Sequence, residues 1–394
     1  MSIARPEIPT PSLMGFTLPI MAIAGALTGY VVGTAHGTPV PGVILGIVVT
    51  VALGYVLAQF VPDRRIGRLG TAALAGIAGL AFVGTSGLIA GILIGLVLSW
   101  FVYWLSSGDY RATVPVYATA GDVLWHNSFK FICGLIFFFL IAPIVVVLPL
   151  SFNAEDFFTF TPAMLALDPE GYSLKHYRDF FTNSDWQGAL WNSFRIAPVA
   201  TLLSVSFGTL AAIGLSQSHV PFRRVIMAIL ISPMIVPLII SAAGMYFFYS
   251  RIGLQGTYWG VVLAHAALGI PFVIITVTAT LVGFDRSLTR AAANMGAGPV
   301  RTFFKVQMPL ILPGVISGAL FAFITSFDEV VVVLFVGSAG QKTLPWQMFT
   351  GLREQISPTI LAVAAILVAF SIVLLTTVEI LRRRSERLRG MSPS

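Results

Sequence analysis

Long apolar segments recur along almost the whole of this chain and leave few alternatives for its fold. A helix that crosses a bilayer needs about 20 mostly apolar residues. Such segments occupy 14–34, 40–61, 129–150, 191–216, 226–250, 258–282, 314–336 and 358–381. A further run, 70–105, would extend about 54 Å as one helix, although the hydrocarbon core is only about 30 Å thick. Because Gly84-Thr85-Ser86-Gly87 at its centre is a turn signal, we predict a helical hairpin there and ten spans in all.

The composition excludes the soluble classes of protein. Hydrophobic residues make up 57% of the 394 residues and charged residues only 10%, whereas a soluble globular protein carries about 25% charged residues. So few charges cannot cover a surface that faces water. A soluble enzyme, a disordered chain and a nucleic-acid-binding domain are therefore excluded, and the prediction is an all-α polytopic membrane protein.

The basic residues predict how the chain is oriented. The net charge is +7, and most Lys and Arg residues fall outside the apolar segments, in 62–69, 106–128, 217–225, 283–313 and the tail from 382. Loops on the cytoplasmic side of a membrane collect Lys and Arg. We therefore predict a multi-pass protein of the bacterial inner membrane with both termini in the cytoplasm.

Composition also divides the chain into regions. Residues 1–128 contain Gly- and Ala-rich helices with small residues four apart, such as Gly25 and Gly29, which let membrane helices pack closely. We predict that this region is a membrane extension of about four helices followed by a cytoplasmic linker. Residues 129–389 form a six-helix core, and 390–394 form a tail.

The sequence contains no pattern that indicates catalysis. The five histidines are scattered, with no spacing suited to a metal ion, and no arrangement of Ser, His and Asp or of paired carboxylates suggests hydrolysis. His265 alone lies within a span, where we interpret it as a packing histidine with satisfied hydrogen bonds. We therefore predict a chain that is not an enzyme and carries no metal, nucleotide or other cofactor of its own.

The segment 283–313 is unusual for a connection between two spans. It is about thirty residues long, which exceeds what a simple connection needs, and its apolar and cationic residues alternate with helical spacing. Gly296 and Gly298 with Pro299 are expected to end its first helix. The pattern predicts a helix–turn–helix at the membrane surface, docked either on lipid or on a partner protein.

This segment resembles the EAA loop of ABC-importer permeases. The motif of that family is Glu-Ala-Ala, three residues, Gly, nine residues, Ile, one residue and Leu-Pro. The matching positions here are Ala291, Ala292, Gly296, Val306 and the pair Met308-Pro309. The segments 170–197 and 326–364 are similar to polyamine-type permeases, and the resemblance covers about 129–389. Arg290 replaces the motif glutamate and inverts its charge.

The resemblance implies the fold and the partners of the core. The core would be a six-helix type I importer permease, and its loop would be a coupling helix seated in a groove of a cytoplasmic ATPase. ATP and Mg²⁺ would then bind to partner subunits. The implied coupling residues are Arg290, Ala291, Ala292, Ala293, Met295, Gly296, Ala297, Val306 and Pro309.

Two features of the apolar segments indicate a transport pathway. Asp328 and Glu329 lie within an apolar span, where an ionised acid costs about 2.5–3.5 kcal/mol on insertion scales. They serve either to attract a cationic substrate or to form a gate or subunit-interface hydrogen bond. The stretch that contains Ser232, Pro233 and Pro237 is the densest in helix breakers, and it is either a gate element or a packing kink.

These observations predict the permease subunit of an ATP-driven importer for a polyamine or a related small cationic solute. Its expected partners are a second permease subunit, expected to be a different chain, two ATPases and a periplasmic binding protein, and it is expected to work by alternating access. We assign contact with the binding protein to Tyr172, Tyr177, Trp186 and Trp346. The alternative is a self-sufficient, ion-coupled secondary transporter. The exact substrate and the role of the extension stay open.

Overall fold

The computed structural model describes residues 11–35, 37–115, 117–217, 220–354 and 357–388. These residues form helices and connecting turns, and the one strand-like pairing in the described ranges is an antiparallel bridge between Asn153 and Tyr172. The all-α architecture predicted from the sequence is confirmed. The described residues fall into two compact units, which comprise Met1–Val146, Asn153–Glu155 and Thr159–Tyr172 in the first and Val147–Phe152, Asp156–Phe158 and Ser173–Ser394 in the second.

The first unit contains four long helices, one very long helix and a short one. They are α1 (Leu18–Ala35), α2 (Pro39–Phe60), α3 (Arg64–Val83), α4 (Thr85–Ser106), α5 (Ala120–Leu150) and α6 (Pro162–Leu165). A π-helical turn, Leu13–Thr17, precedes α1. The first four helices form two hairpins, α1 with α2 and α3 with α4.

Small residues hold the two hairpins together. A Cβ atom added at Gly29 would meet the carbonyl of Gly42, and one added at Gly46 would meet the carbonyl of Gly25. The same close approach joins Gly79 to the backbone of α4. Because backbone touches backbone at these positions, no larger residue fits, and this explains the small residues four apart in the sequence.

The apolar run 70–105 is divided as the sequence predicts. Gly84 has φ +88° and ψ −153°, a backbone conformation that favours glycine. It ends α3, and its amide donates to the carbonyl of Leu80 before α4 begins at Thr85. The turn predicted at this position is confirmed.

The second unit contains the remaining helices. They are α7 (Lys175–Thr182), α8 (Ser184–Ser216), α9 (Arg223–Ile235), α10 (Leu238–Ile252), α11 (Tyr258–Val282), α12 (Ser287–Asn294), α13 (Pro299–Thr302), α14 (Met308–Phe327), α15 (Val331–Val336), α16 (Leu344–Glu354) and α17 (Thr359–Leu388). The centre of this unit is α11, which packs against α8 and α14. The Ser204 hydroxyl on α8 donates to the Ala266 carbonyl on α11 at 2.9 Å.

The number of spans differs from the prediction. Eight helical segments of the described chain are long and apolar enough to cross a membrane, and a ninth span results if the bent pair α9–α10 is one span. The helix missing from this count is α3, because Arg64, Arg65 and Arg68 leave it a shorter apolar stretch than a span of about 20 residues. The prediction of ten spans thus differs from this count by α3 alone, which packs along α4 as the other member of a hairpin. From α5 onward there are six when the bent pair counts as one.

The helix α5 is longer than the span predicted for it. It begins at Ala120, nine residues before the predicted span, and it runs without interruption to Leu150. The domain boundary after residue 128 stays a prediction, since α5 is continuous across it. None of the residues in the most apolar window of α5 is buried.

Candidate functional site

The predicted helix–turn–helix is present between α11 and α14. The first helix of this segment, α12, begins at Ser287, where the Asp285 carboxylate accepts hydrogen bonds from the Ser287 amide at 2.8 Å and its hydroxyl at 2.6 Å. These hydrogen bonds hold the pKa of Asp285 below its ordinary value of 3.8. The helix ends before Gly296, whose φ of +79° reverses the chain direction.

The second part of this segment continues directly into a membrane span. α13 begins with Pro299, a π-helical turn covers Phe303–Gln307, and α14 follows at Met308. On the other side of α12, the Arg286 guanidinium donates to the Ser216 carbonyl at the end of α8. The short helix is therefore tied to two spans, so a displacement of α12 would be passed to both.

The face of this segment that carries the implied coupling residues is largely exposed. Met295 is 87% exposed and Val300 is 69% exposed. Among the implied coupling residues, Arg290, Ala291, Ala293, Met295, Gly296 and Pro309 are exposed, and Ala292, Ala297 and Val306 are half-buried. An apolar surface of this kind outside the spans is suited to contact with a partner. The structure brings all nine residues into this one segment.

The acid pair lies at a break between helices, which corrects the single span predicted over 314–336. α14 ends at Phe327 and α15 begins at Val331, so Asp328 and Glu329 occupy the connection. The Glu329 carboxylate accepts a hydrogen bond from the Val332 amide at 2.7 Å, and Glu329 is only 8% exposed. Glu329, which precedes the N-cap residue Val330, therefore satisfies an amide in the first turn of α15. Asp328, in contrast, is exposed.

Asp328 lines a small cavity with aromatic walls. The cavity has a volume of about 210 Å³, and its lining residues come from α14, α16 and α17. Three rings meet beside the carboxylate: Phe327 lies 5.5 Å from Phe323 and 5.4 Å from Phe370, measured between ring centroids. A carboxylate next to aromatic faces attracts cations through both charge and the ring quadrupoles. Sequence analysis missed these phenylalanines, since in an apolar span they cannot be told from ordinary packing residues.

The proline-rich stretch is also a break. α9 and α10 meet at an angle of 103°, with Val236 and Pro237 between them. Pro233 lies inside α9, and the Ser232 hydroxyl donates to the Ile229 carbonyl at 2.7 Å. An angle this large exceeds an ordinary proline kink and reverses much of the direction of the chain. The residues predicted as a gate element therefore lie at the bend between α9 and α10.

One apolar cluster joins the two breaks. Leu238, directly after Pro237, and Val331, two residues after Glu329, both pack against the buried cluster that contains Val332 and Val333. A change in the direction of α10 would therefore displace residues next to the connection that contains Asp328. The sequence gives no signal of this contact, because the two breaks are about ninety residues apart.

His265 is buried as predicted, but its hydrogen bonds are only half satisfied. It is 1% exposed, and its Nδ1 atom pairs with the Ser326 hydroxyl at 2.8 Å. No described residue forms a hydrogen bond with its Nε2 atom. The pair ties α11 to the end of α14, two residues before Asp328. Ser326 is thus a positioning residue that sequence analysis did not single out.

The four aromatic residues assigned to contact with a binding protein differ in exposure. Trp186 is 4% exposed and packs with Phe180 and Leu344, so the surface role predicted for it is wrong. Trp346 packs partly against the central cluster. The Tyr177 hydroxyl pairs with the Ser151 hydroxyl at 2.7 Å, and the Tyr172 hydroxyl donates to the Met164 carbonyl at 3.0 Å. All but Trp186 keep part of their surface accessible.

In the described part of the chain, no group of three His, Cys, Asp or Glu side chains is placed to hold a metal ion.

Known proteins resemble this chain over its second half and beyond. Residues 204–389 match the family model of binding-protein-dependent transport system inner membrane components. The spermidine/putrescine transport system permease protein PotC of Haemophilus influenzae is 29% identical over 259 residues, which are 66% of this chain and 96% of the relative. The putrescine transport system permease protein PotI of Escherichia coli is 29% identical over 245 residues, or 59% of this chain and 82% of the relative.

A solved structure supports the same fold. The crystal structure of a bacterial ABC transporter involved in the import of the acidic polysaccharide alginate contains a chain that matches with a TM-score of 0.52 and 17% identity. The match covers 68% of this chain and 99% of that chain. Its spans, its helix–turn–helix between α11 and α14 and its similarity to these relatives together support an inner-membrane permease of an ABC importer.

Proposed function

We propose that this permease carries a polyamine, or a related small cationic solute, across the inner membrane by alternating access. It would catalyse no bond chemistry of its own, and ATP with Mg²⁺ would bind to partner ATPases. The observation that carries the proposal is the exposed carboxylate of Asp328 beside an aromatic cavity at a break between two helices. The names of the relatives PotC and PotI point to the same class of substrate.

The geometry around Asp328 favours a cation for two independent reasons. The carboxylate follows the C-terminal end of α14, where the helix dipole is negative. The rings of Phe323, Phe327 and Phe370 add a surface that attracts an ammonium group. Discontinuous helices of this kind form substrate sites in other classes of transporter. An anionic solute would be repelled here.

The coupling of transport to ATP is assigned to α12. Its exposed small residues, Ala291 and Ala293, would allow close seating in a groove of an ATPase, and its ties to the spans would pass on a rigid-body movement. Arg290 lies exposed where relatives of the family carry glutamate, so any ion pair with the ATPase would have the opposite polarity. The breaks at Pro237 and Asp328, which one apolar cluster joins, would be the elements that change conformation during transport.

The proposed complex contains this chain, a second and different permease subunit, two ATPases and a periplasmic substrate-binding protein. Tyr172, Tyr177 and Trp346 are the remaining candidates for contact with the binding protein. Both termini would lie in the cytoplasm, as the distribution of Lys and Arg indicates. The alternative of an ion-coupled secondary transporter gains no support from the family match or from the relatives.

Co-purification tests the complex. The tagged chain would be extracted from native membranes in mild detergent, and its partners identified by mass spectrometry. We expect an ATPase and a second permease, and we expect spermidine with its binding protein to stimulate ATP hydrolysis by the complex. Recovery of the chain alone after mild crosslinking would contradict the importer assignment.

Asp328→Asn tests the substrate class. Loss of the charge should raise the KM for spermidine uptake about tenfold, the effect of roughly 1.4 kcal/mol of lost attraction, with assembly unchanged. Asp156→Asn, which removes an exposed acid outside the spans, is the matched control and should leave uptake unchanged. An unchanged KM in Asp328→Asn would remove Asp328 from substrate attraction while leaving the importer assignment intact.

A further inference from the structure

The ends of four helices in the first unit meet around a pocket. The turn before α1, the end of α2, the start of α3 and the end of α4 enclose a volume of about 390 Å³. Its polar lining residues are Thr17, Gln59, Arg64, Tyr103, Ser106 and Ser107. Because α1–α4 alternate in direction, these ends lie on one side of the membrane, and the distribution of Lys and Arg assigns that side to the cytoplasm. We call this space the interfacial pocket.

A buried hydroxyl in the interfacial pocket lacks a partner. Thr17 is 0% exposed, and its Oγ1 atom forms no hydrogen bond with any described residue. A threonine in a helix usually donates to a carbonyl one turn earlier, and a buried hydroxyl without a partner is costly. The neighbouring Tyr103 hydroxyl, by contrast, donates to the Val61 carbonyl at 2.7 Å. Thr17 is therefore the donor that a ligand in this pocket would satisfy.

The start of α3 adds cationic groups with unused hydrogen-bonding capacity. Arg64 pairs with Asp109 at 2.8 Å, and the Asp63 carboxylate is occupied by the amides of Arg65 and Ile66. Arg68, one turn after Arg64, has a buried Nε atom with no partner in the described ranges. Arg64 lines the pocket, and Gly67, the residue before Arg68, packs against the Tyr103 hydroxyl of the lining, so the backbone of Arg68 lies next to the pocket. The local charge that stays uncompensated is positive.

Large apolar side chains are exposed at three of these four helix ends. Met14, Phe60, Ile66 and Leu69 are each more than 60% exposed and come from the same helix ends that form the pocket. Large exposed apolar side chains at the ends of membrane helices are suited to contact with lipid. The polar pocket therefore opens at the level where the hydrocarbon region meets the headgroups, and a ligand that enters it from the side carries apolar chains.

We propose that the interfacial pocket binds the phosphate headgroup of an anionic phospholipid. The phosphate would accept a hydrogen bond from the Thr17 hydroxyl and would pair with the guanidinium of Arg68, while the acyl chains lie along the exposed residues. Basic pockets between helices at the cytoplasmic face are suited to such headgroups. A free phosphate ion offers the same chemistry without the acyl chains, and the experiment distinguishes the two. This inference is independent of the transported substrate.

The test uses the full chain purified in mild detergent, with bound lipid measured by native mass spectrometry after addition of phosphatidylglycerol or phosphatidylcholine. We expect selective retention of phosphatidylglycerol. Arg68→Gln should lower that retention about fivefold, the contribution of one arginine near an anionic surface. Thr17→Val keeps the shape of the side chain and removes the donor, so it should lower retention at least about threefold.

Two controls make the outcome specific. Arg224→Gln removes an exposed arginine at the start of another membrane helix, and Thr34→Val removes a hydroxyl that is satisfied within α1. Both should retain phosphatidylglycerol at the level of the unmodified chain. The proposal would be overturned if Thr17→Val and Arg68→Gln both retained phosphatidylglycerol at the level of the unmodified chain. Displacement of phosphatidylglycerol by inorganic phosphate at equal concentration would also overturn it, since the site would then bind a soluble anion.

Discussion

The hairpins of the first unit and the helices of the second unit differ in the continuity of their helices. In α1–α4, each helix is continuous and meets its partner through glycine backbone, as Gly29 does against Gly42. In the second unit, two helical segments are broken within apolar sequence, at Pro237 and at Asp328. There the helices are joined by hydrogen bonds between side chains, or from side chain to backbone, such as His265 to Ser326.

The contrast separates a part that holds its shape from a part that can change it. Backbone-to-backbone packing leaves no space for an alternative arrangement, because atoms in a dense contact have nowhere to move. A broken helix can change direction at a few residues, and transporters use such elements to alternate access. The first unit is thus suited to anchoring, and the second to movement.

The largest effect is expected from filling a glycine contact in the first unit. In Gly46→Val, the new side chain would collide with the backbone of Gly25, which cannot yield, so the α1–α2 hairpin should lose about 3 kcal/mol or more of stability. Thermal unfolding in detergent measures the loss. Gly70→Val is the matched control, because nothing lies within 4 Å of the position of its Cβ. Equal stability of the two variants would show that the hairpins do not depend on backbone contact.

The next effect tests the polar contacts of the second unit. Ser326→Ala would leave both ring nitrogens of the buried His265 without a partner, which should cost about 1–2 kcal/mol of the free energy of unfolding. Ser206→Ala is the control, since its exposed hydroxyl bonds only within α8. A loss no larger than in the control would mean that apolar packing alone holds α11 against α14.

A coupling variant tests the movable part without altering its packing. Ala291→Trp places a large side chain on the exposed face of α12, so it should lower uptake at least about tenfold by preventing close contact with the ATPase, a loss of about 1.4 kcal/mol. Protein level in the membrane should stay the same. Ala112→Trp, at an exposed position in another loop, should transport normally. Full uptake by Ala291→Trp would exclude this face from coupling.

The smallest effect concerns the start of α12. Since hydrogen bonds from Ser287 hold the pKa of Asp285 below 3.8, the stabilisation is present above that value and is lost as the pH falls through the lowered pKa. Amide exchange protection of α12 should therefore be constant near neutral pH and decrease below about pH 4, the range in which the carboxylate becomes protonated. In Asp285→Asn this decrease should be absent. An identical pH profile in the variant would assign the effect to another group.

The sequence was sufficient for the features that depend on local chemistry. Apolar length located the spans, Gly84 located a turn, and the glycine and proline residues after α12 located the end of that helix. The residues of the coupling segment are contiguous, so a pattern along the chain was enough to collect them.

Other features depend on contacts between distant residues and left no local signal. The apolar residues Val330–Val336 continue the composition of α14, so apolar length alone predicted one span across Asp328 and Glu329. Trp186 lies near the start of a span, a position typical of a membrane interface, yet packing with Leu344 buries it. The aromatic cavity is assembled from three helices, and nothing in the local sequence distinguishes its phenylalanines from ordinary packing residues.

The helix α5 depends on the bilayer itself for its stability. With no residue buried in its most apolar window, it gains little there from packing within the chain, and transfer of its side chains from water into lipid supplies most of the favourable free energy. At 31 residues it is about 46 Å long, so it tilts or extends beyond the hydrocarbon region. We therefore expect α5 to be stable in the membrane on its own, without contacts from the helices that follow it.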